Sequence, residues 1–488
     1  MANFVNLVKD TQNFTYTENM AGTYSSTMSG VLDLFGLGAA YRTRTDAECI
    51  RLFDKAFAED QLLALKCLFY IRDVRGGQGE RRFFRVVLKD LASTHPEIVR
   101  KNLANIAEYG RYDDLYCLIG TPVERDAFEL IKNQLRLDMT CKTPSLLAKW
   151  LKSENTSSKE SQQLARKTRM YLGITSRDYR KMLSKLRSKI NVLEKLMSSR
   201  QWDKIEYDKI PSRAGLIYKN AFARRDVERY KEFMESKTSK VNAKTLYPYE
   251  VIHQLYANGR IYERISELDR NVLNKYWDNL ADYINSAELN ALAMIDTSGS
   301  MYGTPIEVAL SLGMICAERC SGPYHNHFLT FSAKPCMQEI VGRDFVDKVR
   351  NLYNADWDGN TNIEAAFDLM LDTAVRNNLT QSEIPAQLFI ISDMEFDSCV
   401  RGNSYARANE TLMETMTRRW AQAGYKMPNL VFWNVNARND RIPMRSQNGI
   451  TFVSGFSPVL FEQIIKNKSS WDLVLDKLLS SRYEAITL

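Results

Sequence analysis

Asp296, Ser298 and Ser300 stand at alternating positions directly after the apolar run Ala291 to Ile295. Nothing polar interrupts that run, so it reads as a strand buried on both faces. Where such a strand ends the chain must turn, and three oxygen-bearing side chains can then point to one centre. One carboxylate and two hydroxyls suit a small hard cation, Mg²⁺ before Ca²⁺. The same residue types also cap helices, and from these few residues alone both readings stand.

The sequence downstream favours the metal. Asp358-Gly-Asn-Thr361 is a polar turn leading into a helical pattern, and Ala386-Gln-Leu-Phe-Ile-Ile-Ser-Asp393 is a second apolar run closed by an aspartate. Open α/β sheets bind ligands at the carboxyl ends of their strands, among several loops. Asp-x-Ser-x-Ser, a later loop threonine and a strand-end aspartate together resemble the metal-ion-dependent adhesion site of von Willebrand factor A domains. That resemblance implies that Asp296, Ser298, Ser300, Thr361 and Asp393 hold Mg²⁺ or another divalent cation, some of them through water. It also implies one open coordination position, which a protein ligand fills with an acidic group. Glu395 and Asp397 lie just beyond this set and could tune its charge, although they read first as ordinary loop acids.

These residues need a scaffold, and residues 286–488 supply alternating strands and helices. Expected helices are Tyr302–Cys320, Ile363–Arg376, Asn409–Ala423, Val459–Lys466 and Trp471–Leu479. Expected strands after the first are His325–Ser332, Cys336–Val341, Leu430–Asn436 and Gly449–Val453. Right-handed crossovers would wind these into a parallel sheet covered on both faces, with a short antiparallel pair at one edge. Residues 1–285 read differently, as helix after helix from position 31: Asp46–Tyr70, Arg81–Ser93, Pro96–Glu108, Tyr112–Ile119 and Val123–Met139. Short turns between amphipathic helices suggest HEAT-like stacking, although no fixed repeat period is present. Lys152–Ser161 is the best internal loop. The fold class is therefore α plus α/β, a helical-repeat domain followed by a doubly wound A-type domain.

Tyr16-Thr-Glu-Asn-Met-Ala-Gly-Thr-Tyr-Ser-Ser-Thr, Val31-Leu-Asp-Leu-Phe and Leu68-Phe-Tyr-Ile-Arg-Asp-Val-Arg-Gly-Gly-Gln-Gly-Glu-Arg81 occur in the helical half. With the metal-site half behind them, they resemble a group of uncharacterised proteins related to the Ro autoantigen. Those proteins join a TROVE-like helical domain to a von Willebrand A domain. The resemblance implies a ring of helices that holds single-stranded RNA ends and small structured RNAs.

Charge gives an independent reason to expect nucleic acid. The net charge is only +7, yet residues 141–250 carry 26 Lys and Arg against 12 Asp and Glu. The rest of the chain is therefore net acidic, and a basic segment in such a chain suggests a polyanion-binding face. Tyr179, Leu183, Leu186, Ile190, Leu193 and Met197 form one apolar stripe of a long helix. Arg177, Lys181, Lys185 and Lys189 step by four along another face. Arg224, Arg225 and Arg229 add a second cluster beside Tyr207, Tyr218 and Phe222, rings of a kind that can stack on bases. Solvated helix faces and buried rings are the plain alternatives.

Other classes find little support. No apolar run approaches the roughly 18 residues that span a bilayer, and no secretory signal is visible at the N-terminus. The eight cysteines lack a disulfide-framework spacing, which points to a reducing, cytoplasmic setting. Arg75-Gly-Gly-Gln-Gly-Glu-Arg81 lacks the Gly-Lys-Ser/Thr ending of a phosphate loop. It reads as a glycine turn with Arg72, Asp73, Glu80 and Arg81 pairing locally, and with Arg72, Arg75, Arg81 and Arg82 as candidate RNA contacts. Cys316, Cys320, His325 and His327 offer zinc-type donors, although buried cysteines commonly pack as small apolar groups. None of the four histidines sits in a catalytic motif, so no enzyme is expected. The expected function is an RNA-binding ribonucleoprotein component; the rivals are a metal-dependent protein-interaction module and an assembly subunit, neither with an RNA role.

Overall fold

The computed structural model describes residues 4–190, 192–257, 260–262, 264–284, 289–330, 334–355, 362–397, 411–444, 446, 449–464 and 469–488. Packing divides the chain into two units. One comprises residues 1–67 with 243–480, the other residues 68–242 with 481–488. The sequence expectation had placed the whole of 1–285 in one helical domain.

The first unit is built on a six-stranded sheet: β1 (Ala291–Ile295), β2 (His327–Thr330), β3 (Met337–Glu339), β4 (Gln387–Ser392), β5 (Asn429–Asn434) and β6 (Ile450–Ser454). The strand order is β6-β5-β4-β1-β2-β3, and every pairing is parallel except β2 with β3. Every residue of β1, β4 and β6 is buried. A strand with one wet face would alternate, so both faces of this sheet are covered, as a doubly wound α/β arrangement requires. The helix Thr304–Arg319 runs close against β1. A side chain at Gly313 would place its Cβ 2.3 Å from the Ile295 Cδ1, so the approach depends on glycine there.

The N-terminal residues join this unit because of what they must bury. In the helix Gly30–Leu37 all residues from Val31 to Leu37 are buried, and a helix apolar all round needs cover on every side. It packs on β6, where the Ser454 hydroxyl donates to the Phe35 carbonyl at 3.2 Å. A short hairpin, Phe14–Tyr16 with Gly22–Tyr24, precedes it.

The second unit is helical throughout its described length. The expected helix 46–70 is two helices, Asp46–Glu59 and Gln61–Arg72, broken at Asp60; the second of these crosses into the helical unit. Pro96–Lys101 and Leu103–Tyr109 likewise replace one expected helix. The long basic helix also divides. Ser176–Lys189 ends before Ile190, and a separate turn of helix covers Leu193–Ser198. Its stripe of Tyr179, Leu183 and Leu186 is buried as expected. The C-terminal residues dock in this unit, with Tyr483 and Ile486 fully buried. Among the described residues no helix is long and apolar enough to cross a membrane.

Candidate metal centre and nucleic-acid interface

At the carboxyl ends of β1 and β4 the chain turns on short polar bonds. The backbone N–H of Ser298 donates to Asp296 Oδ1 at 2.9 Å, and the Ser392 hydroxyl donates to Asp296 Oδ2 at 2.6 Å. The Ser298 and Ser300 hydroxyls lie 3.0 Å apart. Asp393 accepts from the Glu395 N–H at 3.3 Å and from Arg438 Nε at 3.3 Å. Asp296, Ser298 and Asp393 are buried, while Ser300 is half-buried. Thr361 lies outside the described residues. Four of the five expected ligands are thus placed on adjoining strand ends.

The electrostatics fit a cation. Asp296 is fully buried, and its pKa is pushed up to about 6, first by that burial and then by the neighbouring Asp393 charge. Two carboxylates this desolvated resist sharing a site until a positive charge joins them. The donors are all oxygen, as a hard divalent ion prefers. Among the described residues no three His, Cys, Asp or Glu side chains gather into a metal cage, so any cation here would rest on two carboxylates with hydroxyls. Cys316 and Cys320 are buried, and His327 turns its Nδ1 to the His325 carbonyl at 2.8 Å. The zinc-type set is not assembled.

Several residues at this centre carried no sequence signal of their own. Arg438 ion-pairs with Asp393 at 3.3 Å and with Glu18 at 2.9 Å. Glu395 is no ordinary loop acid: it is buried, accepts the Glu18 N–H at 2.8 Å and receives the Asn439 amide at 3.2 Å. Burial raises its pKa. The Thr17 hydroxyl donates to the Phe396 carbonyl at 2.7 Å, so the turn of the N-terminal hairpin is fastened beside the β4 strand end. A pairing 377 residues apart in sequence leaves no local pattern to read.

In the helical unit the basic residues separate into two kinds. Lys189 donates to the Met139 and Cys141 carbonyls, both at 3.1 Å. It therefore caps the end of the helix Glu124–Thr140, as cations near helix C-termini do. Arg229 bonds the Trp202 and Ile205 carbonyls at 2.8 Å and Asp226 at 2.9 Å. Both hold carbonyl groups of the fold while remaining exposed. Arg224 bonds only a carbonyl one turn back, Asn220 at 2.9 Å. Arg177, Lys181, Lys185, Arg224 and Arg225 are exposed. Tyr207 and Phe222 are buried in an aromatic cluster with Tyr230, their rings 5.1 to 5.4 Å apart.

Two open hollows adjoin these groups. One, of about 550 Å³, is lined by Trp150, Tyr179, Arg180 and Arg187 among others; the second, of about 800 Å³, is lined by Trp202, Tyr218, Arg224 and Arg225. They adjoin at Glu194 and Ser198, a groove in two parts. The face of helix Ser176–Lys189 that lines it carries Arg180 and Arg187, not the Lys181–Lys185 face singled out by spacing. Trp150 and Trp202, the aromatic edges of the groove, were also missed.

The glycine loop after Arg72 has a structural task with long-range partners. Arg72, 1 % exposed, ion-pairs with the buried Asp114 at 2.7 Å. Asp73 receives Arg482 and the Tyr483 hydroxyl, the latter at 3.0 Å. Arg72 and Asp73 thus take charged partners some 40 and 410 residues away, while Glu80 bonds locally, accepting the Arg82 N–H at 2.8 Å. A Cβ at Gly77 would lie 2.0 Å from the Tyr70 carbonyl oxygen, so the tight return needs glycine.

A family model described as Domain of unknown function (DUF2828) matches residues 17–125 and 135–288, more than half of the chain. The chain belongs to this family. A second model, Domain of unknown function (DUF7788), matches residues 290–476 and so contains the metal-type centre. Uncharacterized protein L728 of Acanthamoeba polyphaga mimivirus is 31% identical over 499 residues, covering 93% of this chain and 85% of that protein. Among solved structures, the crystal structure of the Deinococcus radiodurans Ro (RSR) protein is similar over 95% of each chain, with a TM-score of 0.36 and 13% identity. The two family models meet between 288 and 290, whereas packing groups residues 1–67 with the sheet.

Proposed function

We propose that this DUF2828 protein is an RNA-binding ribonucleoprotein component with no catalytic step. Its helical unit holds single-stranded ends or small structured RNA, and its sheet unit binds Mg²⁺ or another divalent cation. The observation that carries the RNA reading is the groove. It sets Trp150, Trp202 and Tyr218 beside Arg180, Arg224 and Arg225 in the most basic segment of the chain. Aromatic faces with interleaved arginines bind single strands through stacking and phosphate contacts. A cytoplasmic setting belongs with this reading, as the cysteine pattern suggested.

The experiment is crosslinking and sequencing of nucleic acid that co-purifies with the protein, comparing wild type with Arg224→Glu/Arg225→Glu. Specific RNA lost in a folded variant supports the reading. No enriched RNA at moderate salt removes it and leaves the rival: a metal-dependent interaction module whose protein ligand brings an acidic group to the cation. The oxygen-only centre at Asp296 and Asp393 is what favours that rival. Loss of a partner on Asp296→Ala, with RNA affinity unchanged, would select it.

A further inference from the structure

Below the glycine loop the helical unit buries more positive charge than it neutralises. Asp114 is taken by Arg72 at 2.7 Å and by Arg85 at 2.6 Å; Asp113 is taken by Arg85 at 3.2 Å and Lys152 at 3.7 Å. Two more guanidiniums, Arg81 and Arg111, stand half-buried in the same neighbourhood. Among the described residues neither forms an ion pair. Five cations thus share two carboxylates. Burial pulls Arg111 down to about 10, with Arg81 and Arg72 adding to the effect. Arg81 is lowered as well, by burial and then by Arg85.

Only Arg72 of the five is fully buried, yet partly desolvated cations in excess still favour an outside anion. The arginine fork matches phosphate, and charge-assisted bonds from it are short and strong. A second feature says what the phosphate would be attached to. The Arg111 guanidinium lies over the Trp150 ring, 4.4 Å from its centroid. Trp150 in turn lines the 550 Å³ hollow with Lys149, Tyr179 and Arg180. Two carboxylates line that hollow: Glu154, neutralised by Arg169 at 2.8 Å, and Glu194, which accepts the Tyr218 hydroxyl at 3.2 Å. An anion subsite therefore adjoins an aromatic-walled space.

We propose that Arg81 and Arg111 form a phosphate subsite for a single nucleic-acid strand, with the attached base entering the hollow beside Trp150. The identification of the phosphate as a nucleic acid's rests on the RNA reading above; the anion subsite itself rests on the arginine geometry. It lies apart from the exposed Lys181–Lys185 face, which carries only diffuse charge.

The test uses the full-length chain and a fluorescein-labelled oligouridylate of ten nucleotides, read by anisotropy across a salt series. Arg81→Gln and Arg111→Gln should each weaken binding by about tenfold and reduce the salt slope by roughly 0.7 to 1, the contribution of one phosphate contact. Trp150→Ala should cost about 5- to 150-fold, the range for one stacked base. Lys142→Gln, an exposed lysine elsewhere, is the control and should cost little. A melting curve without ligand separates binding from folding. Removing a surplus charge in Arg81→Gln should leave the melting temperature unchanged or raised, whereas a structural arginine would lower it.

If the wild type binds the oligomer and both glutamine variants match the control, the subsite is wrong and the RNA reading stands. When the wild type binds no oligomer, the nucleic-acid reading and this proposal both fail. Inorganic phosphate and uridine monophosphate are the remaining arms. Stabilisation by phosphate alone, lost in Arg81→Gln, would give the subsite to a free anion and overturn the nucleic-acid assignment.

Discussion

The two units each gather an excess of charge of one sign, and the signs are opposite. At the strand ends of the sheet unit, Asp296 and Asp393 bring carboxylates together with serine hydroxyls. In the helical unit, Arg81 and Arg111 crowd against Arg72 and Arg85. Each arrangement is destabilising by itself and becomes favourable with a counter-charge from outside. Both centres join short runs that lie apart in sequence: Asp296, Ser298 and Ser300 meet Ser392 and Asp393, and Arg72, Arg81 and Arg85 meet Arg111, Asp113 and Asp114. They differ in the groups offered. A few bonded oxygens suit a small ion, whereas several guanidiniums suit an anion met at more than one point.

The largest effect should come from breaking the one fully compensated pair in the basic cluster. Asp114→Ala leaves Arg72 buried with no carboxylate and strips Arg85 of one partner. Uncompensated buried charge of this kind costs about 3–5 kcal/mol. Chemical denaturation should show that loss, with Arg72→Met/Asp114→Leu recovering most of it. A loss below about 1 kcal/mol would mean that water reaches Arg72 and that the cluster is not the desolvated well described.

The acidic centre should respond to its own counter-charge by mass action. Ligand present at 100 times its dissociation constant stabilises the folded state by about 2.7 kcal/mol. Wild type should therefore melt at higher temperature as Mg²⁺ is added, and Asp296→Asn should show no such response. Identical Mg²⁺ shifts in both proteins would place the cation elsewhere. The contrast is sharpest if Mg²⁺ leaves the response of Arg81→Gln to oligouridylate untouched.

How far each centre could be read in the sequence differs as well. Asp296, Ser298 and Ser300 sit within five residues after an apolar strand, so periodicity and residue type made them candidates, and the resemblance to an adhesion-site motif supplied the metal reading. The sheet was equally plain, because β1 and β4 are unbroken apolar runs with polar ends. Ser392 went unnoticed although it precedes Asp393, since a serine inside a strand carries no distinguishing spacing. Arg438 and Glu18 come from a loop and a hairpin far from β4 in sequence. In the helical half, a four-residue step singled out Lys189, and clustering singled out Arg229; both donate to carbonyl groups of the fold. Spacing shows which residues share a helix face, not what that face meets. Arg111 and Trp150, 39 positions apart, become neighbours only through packing. The helix Gly30–Leu37 shows the limit for domain boundaries. Its apolar character is visible, but nothing local says that the surface covering it is β6.

The smallest expected effect is also the most discriminating, because it concerns a cation that already touches a carboxylate of the acidic centre. Arg438 reaches Asp393 at 3.3 Å and Glu18 at 2.9 Å, so it partly satisfies a carboxylate that a metal would also use. A fixed positive charge there opposes a divalent ion by on the order of 1 kcal/mol when solvent-screened. Arg438→Gln should then tighten Mg²⁺ binding about fivefold, measured by calorimetric titration. The glutamine amide can still donate one hydrogen bond to Asp393, which keeps the carboxylate oriented while removing the charge. Weaker Mg²⁺ binding in Arg438→Gln would instead assign the arginine to positioning Asp393. In that case the centre would be organised by its own salt bridge, and the symmetry with the arginine cluster, where no carboxylate is left over, would not hold.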